Sequence, residues 1–69
     1  MIKIGVIGYG YWGPNLVRNF SEIPEAQVVA VSDLDPNRLD LVKTRHPTIN
    51  TTADYQTLLS DPTIDAVAI

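Results

Sequence analysis

Ile2-Lys3-Ile4-Gly5-Val6-Ile7-Gly8-Tyr9-Gly10-Tyr11-Trp12-Gly13-Pro14-Asn15-Leu16-Val17 is the stretch that decides the fold. Its first part alternates Ile2, Ile4 and Val6 and adds Ile7, a pattern suited to a strand buried on both faces. The strand stops at glycine. Leu16, Val17, Phe20 and Ile23 then recur at helical spacing. Pro14 falls in the first turn, where its missing N–H costs nothing, and Pro24 blocks continuation. Between the strand and the helix lies the run Gly8-x-Gly10-x-x-Gly13.

The same alternation continues outward. Val28-Val29-Ala30-Val31 is a second β-branched run, ending in Ser32-Asp33. Asp35-Pro36 reads as an N-cap followed by proline at the first helical position. Leu39 and Val42 supply the buried stripe of that helix, and Pro47 ends it. Thr48 to Thr52 is β-branched but polar, which suits a short edge strand. Tyr55, Leu58 and Leu59 predict a short third helix, closed by Ser60-Asp61-Pro62, and Asp65 to Ile69 opens another buried strand. Strands alternating with helices imply parallel pairing with right-handed crossovers. The expected architecture is α/β: a partial, doubly wound Rossmann-type parallel sheet, β-α-β-α-β-α-β, in strand order 3-2-1-4.

Composition narrows the function. A chain of 69 residues is at most one small domain, burying about 60% of the surface its unfolded state exposes. With 45% hydrophobic and 19% charged residues it is not a disordered tail. It has no cysteine and one histidine, which excludes a disulfide framework, a thiolate nucleophile and a multi-histidine metal cluster. A net charge of −3 argues against a nucleic-acid surface. No apolar run is long enough to span a bilayer, and no secretory signal opens the chain, so a cytoplasmic location is expected. On the same ground the sequons at Asn19 and Asn50 read as chance matches.

The chemistry concentrates at the glycine run. Alone the pattern is weak, but here it follows a predicted strand, opens a predicted helix, and has an acid, Asp33, twenty residues beyond Gly13 at the end of the second strand. This is the dinucleotide fingerprint. Gly8 is expected to permit the tight turn where a Cβ would clash, Gly10 to admit a pyrophosphate, and Gly13 to let the helix pack closely on the strand. Free N–H groups around Tyr11 and Trp12, with the positive end of the helix, would bind phosphate charge. Asp33 would accept hydrogen bonds from the adenosine ribose and repel a 2′-phosphate, favouring NAD over NADP. The plainer reading makes the glycines a simple turn and Asp33 a solvated strand end, and the agreement of spacing and context weighs against it.

The rings of Tyr9, Tyr11 and Trp12 are expected to pack over the turn or line the cofactor cleft, their backbone mattering more than their side chains. Arg38 could reach the adenine or a phosphate, although a first-turn arginine is commonly solvated. His46 reads as a cation set against a helix dipole. Asp54, Asp61 and Asp65 read as turn and cap residues. No metal site and no catalytic residue is expected.

The run Ile4 to Phe20, with Val29-Ala30-Val31-Ser32-Asp33, Asp54-Tyr55-Gln56-Thr57-Leu58-Leu59 and Ile64 to Ile69, resembles the N-terminus of the Gfo/Idh/MocA family of oxidoreductases. The resemblance implies an NAD- or NADP-binding domain, here residues 1–69. It also implies a parent enzyme that moves a hydride between the nicotinamide and a carbinol of a sugar, inositol or nucleotide-sugar. The glycines and Asp33 carry over as cofactor contacts. In the family the catalytic lysine, the later Asp and His and the substrate domain follow the fourth strand. Lys3 and Lys43 do not match that lysine. The 69-residue chain alone is thus expected to be inactive, marginally stable and prone to pair through its last strand, and the parent to be a homo-oligomer. The rival reading is a regulatory nucleotide-sensing Rossmann module without catalysis. The Trp12-Gly13-Pro14-Asn15 stretch and the Asp54-Tyr55 helix favour the enzyme.

Overall fold

A computed structural model describes residues 1–10 and 12–69. The apolar runs form β1 (Ile2–Ile7), α1 (Gly13–Ser21), β2 (Ala26–Ser32), α2 (Pro36–Arg45), β3 (Asn50–Thr52), α3 (Tyr55–Ser60) and β4 (Ala66–Ala68). The strands make one parallel sheet in the order β3-β2-β1-β4, with the polar β3 at an edge as its composition predicts. Parallel strands need a crossover for every return, and each of the three helices supplies one.

One feature of the pairing is not visible as a periodicity. Ile4 pairs with Val28, but Gly5 pairs with Ala30, so the register skips Val29. The skip turns Val28 and Val31 to the same side, where they join Ile4 and Val6 in the core. α1 and α2 close that face with Val17 and Val42, which like Val6 and Val31 are fully buried. The opposite face carries Gly5 and is met by Leu58 of α3 and by Ile64.

Helix ends follow local chemistry. Asp35 caps α2 and Asp54 caps α3, each carboxylate accepting the N–H two residues on at 2.9 Å. Asp61 likewise accepts from the N–H and hydroxyl of Thr63, which, with the N–H and hydroxyl bonds outweighing a small desolvation effect, hold its carboxyl below the ordinary range. Asp65 accepts the Lys3 N–H at 2.8 Å and donates its own N–H to the Lys3 carbonyl at 2.7 Å, tying the entry of β4 to β1.

Two apolar stripes are narrower than their spacing suggests. Ile23 lies beyond the end of α1 and is exposed. The chain has already turned there, through Ile23 N–H to Phe20 carbonyl and Ala26 N–H to Ile23 carbonyl, to feed Ala26 into β2. In α3 only Leu58 is buried, while Tyr55 and Leu59 are exposed, because a six-residue helix lays one turn against the sheet. No helix among the described residues is long and apolar enough to cross a membrane.

Candidate functional site

The C-terminal ends of β1 and β2 bring the fingerprint residues together. The Gly8 N–H donates to the Ser32 carbonyl at 2.7 Å and the Asp33 N–H to the Thr52 carbonyl at 3.1 Å, extending the sheet pairing one step past the strands. Gly8 takes φ +92, the left-handed region that favours glycine, yet a Cβ there would meet nothing within 4 Å. The expected clash at Gly8 is therefore replaced by a purely conformational demand. At Gly13 the demand is contact: a Cβ would lie 2.6 Å from the Gly8 carbonyl oxygen. This brings the first turn of α1 directly onto the end of β1.

Gly10 differs from both. Its φ is not positive, and a Cβ would meet only the mobile tip of Arg38, at 3.1 Å from Nη1. Packing among the described residues gives little reason for glycine at this position. A ligand that must approach the backbone does give one.

Asp33 is not a solvated strand end. It is 8% exposed, and its two oxygens are held by backbone donors: Tyr9 N–H to Oδ2 at 2.7 Å and Asp35 N–H to Oδ1 at 2.8 Å. The glycine turn and the acid are thus one hydrogen-bonded unit. Burial pushes the Asp33 carboxyl up, but the N–H groups of Asp35 and Tyr9, with the charge of Arg38, outweigh it and hold the group below its ordinary value. The acid stays ionised, with lone pairs left for a further donor.

The three aromatic residues separate. Tyr9 sends its ring into the core, 3% exposed, while its N–H holds Asp33. Trp12 is the N-cap residue of α1 without a capping hydrogen bond from its exposed side chain, and its carbonyl accepts the Leu16 N–H at 3.0 Å. Tyr11, expected to offer a phosphate-binding N–H, lies outside the described residues. His46 is the C-cap of α2, its N–H bonded to the Val42 carbonyl at 2.7 Å.

A cavity of about 330 Å³ opens beside the acid, lined among others by Gly8, Ser32, Asp33, Leu34, Arg38 and Tyr55. Ser32 is a residue that sequence reasoning missed. Its hydroxyl oxygen is buried without a hydrogen-bond partner among the described residues, an arrangement proteins avoid unless something else completes it. Its only sequence signal is its place before the acid. The glycine cradle, the fixed carboxylate and this orphaned hydroxyl fit the adenosine and pyrophosphate end of a dinucleotide.

A parallel 3-2-1-4 sheet with a glycine turn after the central strand and an acid after the next defines a nucleotide-binding Rossmann domain. Residues 2–69 match the Gfo/Idh/MocA family, described as an oxidoreductase family with an NAD-binding Rossmann fold, and the chain belongs to it. It is 40% identical over 68 residues to the uncharacterised oxidoreductase YrbE of Bacillus subtilis, covering 99% of this chain and 20% of that protein. It is 39% identical over 69 residues to the inositol 2-dehydrogenase of Acidothermus cellulolyticus, again covering 99% and 20%. Among solved structures, the myo-inositol dehydrogenase of Lactobacillus casei in complex with NAD(H) and myo-inositol superposes with a TM-score of 0.86 at 36% identity. That alignment covers 97% of this chain and 20% of the other. The chain spans about a fifth of the length of these relatives.

Proposed function

We propose that this chain is the cofactor-placing domain of an NAD-dependent dehydrogenase acting on a secondary alcohol of a cyclitol or sugar. The observation that carries the reading is the Asp33 carboxylate, buried, ionised and locked to the glycine turn through the Tyr9 N–H, beside a Gly10 that no backbone contact among the described residues requires. In this reading Asp33 accepts the two hydroxyls of the adenosine ribose, and its charge sets NAD ahead of NADP. Gly10 lets the pyrophosphate close on the backbone, and the N-terminus of α1 faces its charge. Tyr9 acts through Asp33, as a positioning residue.

When bound, the nicotinamide supplies hydride transfer. The domain's part is to hold the dinucleotide in one register, so that the nicotinamide projects from the carboxyl ends of the strands. The groups that handle the alcohol proton are proposed to lie in the four-fifths of the relatives' length that this chain does not span. The cyclitol or sugar class is supported by inositol dehydrogenases among the relatives and solved structures.

Calorimetry of the intact protein tests the reading. Saturable NADH binding is expected, tighter than NADPH, and lost in Gly10→Val with the far-ultraviolet circular dichroism unchanged. NADH formation from NAD is expected with at least one inositol isomer or sugar. Absence of saturable binding by either nucleotide would overturn the proposal.

A further inference from the structure

A second cavity, of about 290 Å³, opens between α1 and the end of α2, lined among others by Tyr9, Asn15, Arg18, Arg45 and His46. It shares no lining residue with the cavity beside Asp33. Its volume stands at the lower edge of small-molecule sites, roughly 300–1,000 Å³. Two of the five Lys and Arg of a chain with net charge −3 converge here with its single histidine, and no Asp or Glu is among the described residues that line the cavity. Neither arginine lies within 4 Å of a carboxylate among the described residues. Each guanidinium is instead aimed by a neutral oxygen. Arg18 Nη2 donates to Asn15 Oδ1 at 3.1 Å, and Arg45 Nη1 makes a long contact of 3.5 Å to the Tyr9 hydroxyl oxygen. Tyr9 reaches the cavity from the core, and its hydroxyl, an acceptor from Arg45, donates to no acceptor among the described residues. Helix dipoles explain a cation in the last turn of α1 and another in that of α2. They do not require the two to line one cavity with a buried phenol.

We propose that this cavity is an anion site, separate from the dinucleotide cleft, that takes a phosphate group, free or carried by a small ester. Two guanidinium forks from different helices offer paired N–H groups to phosphate oxygens, a match that arginine makes and lysine does not. The Tyr9 O–H is a donor already withdrawn from water, so an oxyanion there completes a group that the fold leaves unmatched. His46 is half-buried at the same wall, and its imidazole carries an N–H in either protonation state. With no carboxylate in the lining, an entering anion meets no like charge. Both arginines are exposed, so salt screens the attraction and the affinity falls as ionic strength rises.

Calorimetric titration of the intact protein with inorganic phosphate and with glycerol 3-phosphate, each against chloride at matched ionic strength, tests the site. Saturable binding of at least one is expected. Tighter binding of the ester points to an esterified ligand, and tighter binding of inorganic phosphate to the free ion. Arg18→Ala and Arg45→Ala are each expected to weaken binding about tenfold, the size of one charge-assisted contact, and Tyr9→Phe about fivefold. Neither arginine substitution should change the affinity for NADH. Saturating NADH should leave phosphate binding in place. Heats no different from chloride, or binding untouched by both arginine substitutions, overturn the proposal and leave the NAD reading standing. Displacement of phosphate by NADH also overturns it, since that assigns the anion to the dinucleotide cleft.

Discussion

Asp33 has two duties at the scale of the residue, because its oxygens hold the turn that the ligand would approach. Asp33→Ala strands the Tyr9 and Asp35 N–H groups and is expected to cost about 1–3 kcal/mol of stability in chemical denaturation, besides weakening NADH. Asp33→Asn restores little, since an amide has one acceptor oxygen for two donors on opposite sides. The folded carboxyl titrates below its ordinary 3.8. Its stabilisation is therefore complete above that value and is lost as pH falls through the lower folded value. In acid titrations from about pH 4 downward, Asp33→Ala should show a shallower loss of stability than wild type. Equal slopes would mean that the carboxylate holds no charge-dependent bond. The glycines make a matched contrast. Gly13→Ala drives a Cβ into the Gly8 carbonyl and is expected to cost about 1–3 kcal/mol. Gly10→Ala meets only the tip of Arg38, so it should change stability by less than about 1 kcal/mol while weakening NADH. Thermal melts and NADH titrations of both variants separate a structural glycine from a ligand-driven one.

α3 is the lightly anchored element: six residues long, it buries Leu58 alone and leaves Tyr55 and Leu59 exposed. Leu58→Ala removes its one anchor against the Gly5 face of the sheet. It is expected to cost about 2–4 kcal/mol and to speed amide exchange in α3 before β1 or β2. Protection retained in α3 would show that Ile64 and the Asp54 cap hold it instead. β2 presents the opposite case. Its skip at Val29 sets the facing of every later residue in the strand. Deleting Val29 would remove the irregularity and leave Val28, Ala30, Val31 and Ser32 opposite Ile4, Gly5, Val6 and Ile7 in an unbroken ladder, so Asp33 is expected to keep its place.

For the whole molecule, the site draws on loops after β1, β2 and β3, so a bound dinucleotide ties separate parts of the sheet together. Binding to the folded state alone stabilises by mass action, by about 2.7 kcal/mol at a hundredfold excess over the dissociation constant. The melting temperature of the intact protein is expected to climb with NADH concentration in wild type and to stay flat in Gly10→Val. A parallel rise in both would place the nucleotide away from the glycine turn.

Much of this molecule was determined in the chain order itself. A six-residue run with isoleucine or valine at Ile2, Ile4 and Val6, a glycine run, a proline at each helix start where Pro14 and Pro36 stand, and an acid twenty residues on lead to β-α-β units and to strand order 3-2-1-4. They do so because periodicity and turn chemistry are local properties, and crossover handedness leaves few alternatives. The polar Asn50-Thr51-Thr52 marked its own place at the sheet edge. Only the tertiary structure decided which apolar positions are covered. Periodicity reports that Ile23, Tyr55 and Leu59 are apolar, but burial requires a neighbour to arrive, and among the described residues none buries them. The skip at Val29 is set by pairing with β1, which no pattern within β2 announces. Tyr9 shows the division most sharply: its position in the glycine run is legible, but its ring in the core and its N–H on Asp33 join residues 24 apart in the chain. That pairing exists only once two parallel strands lie side by side.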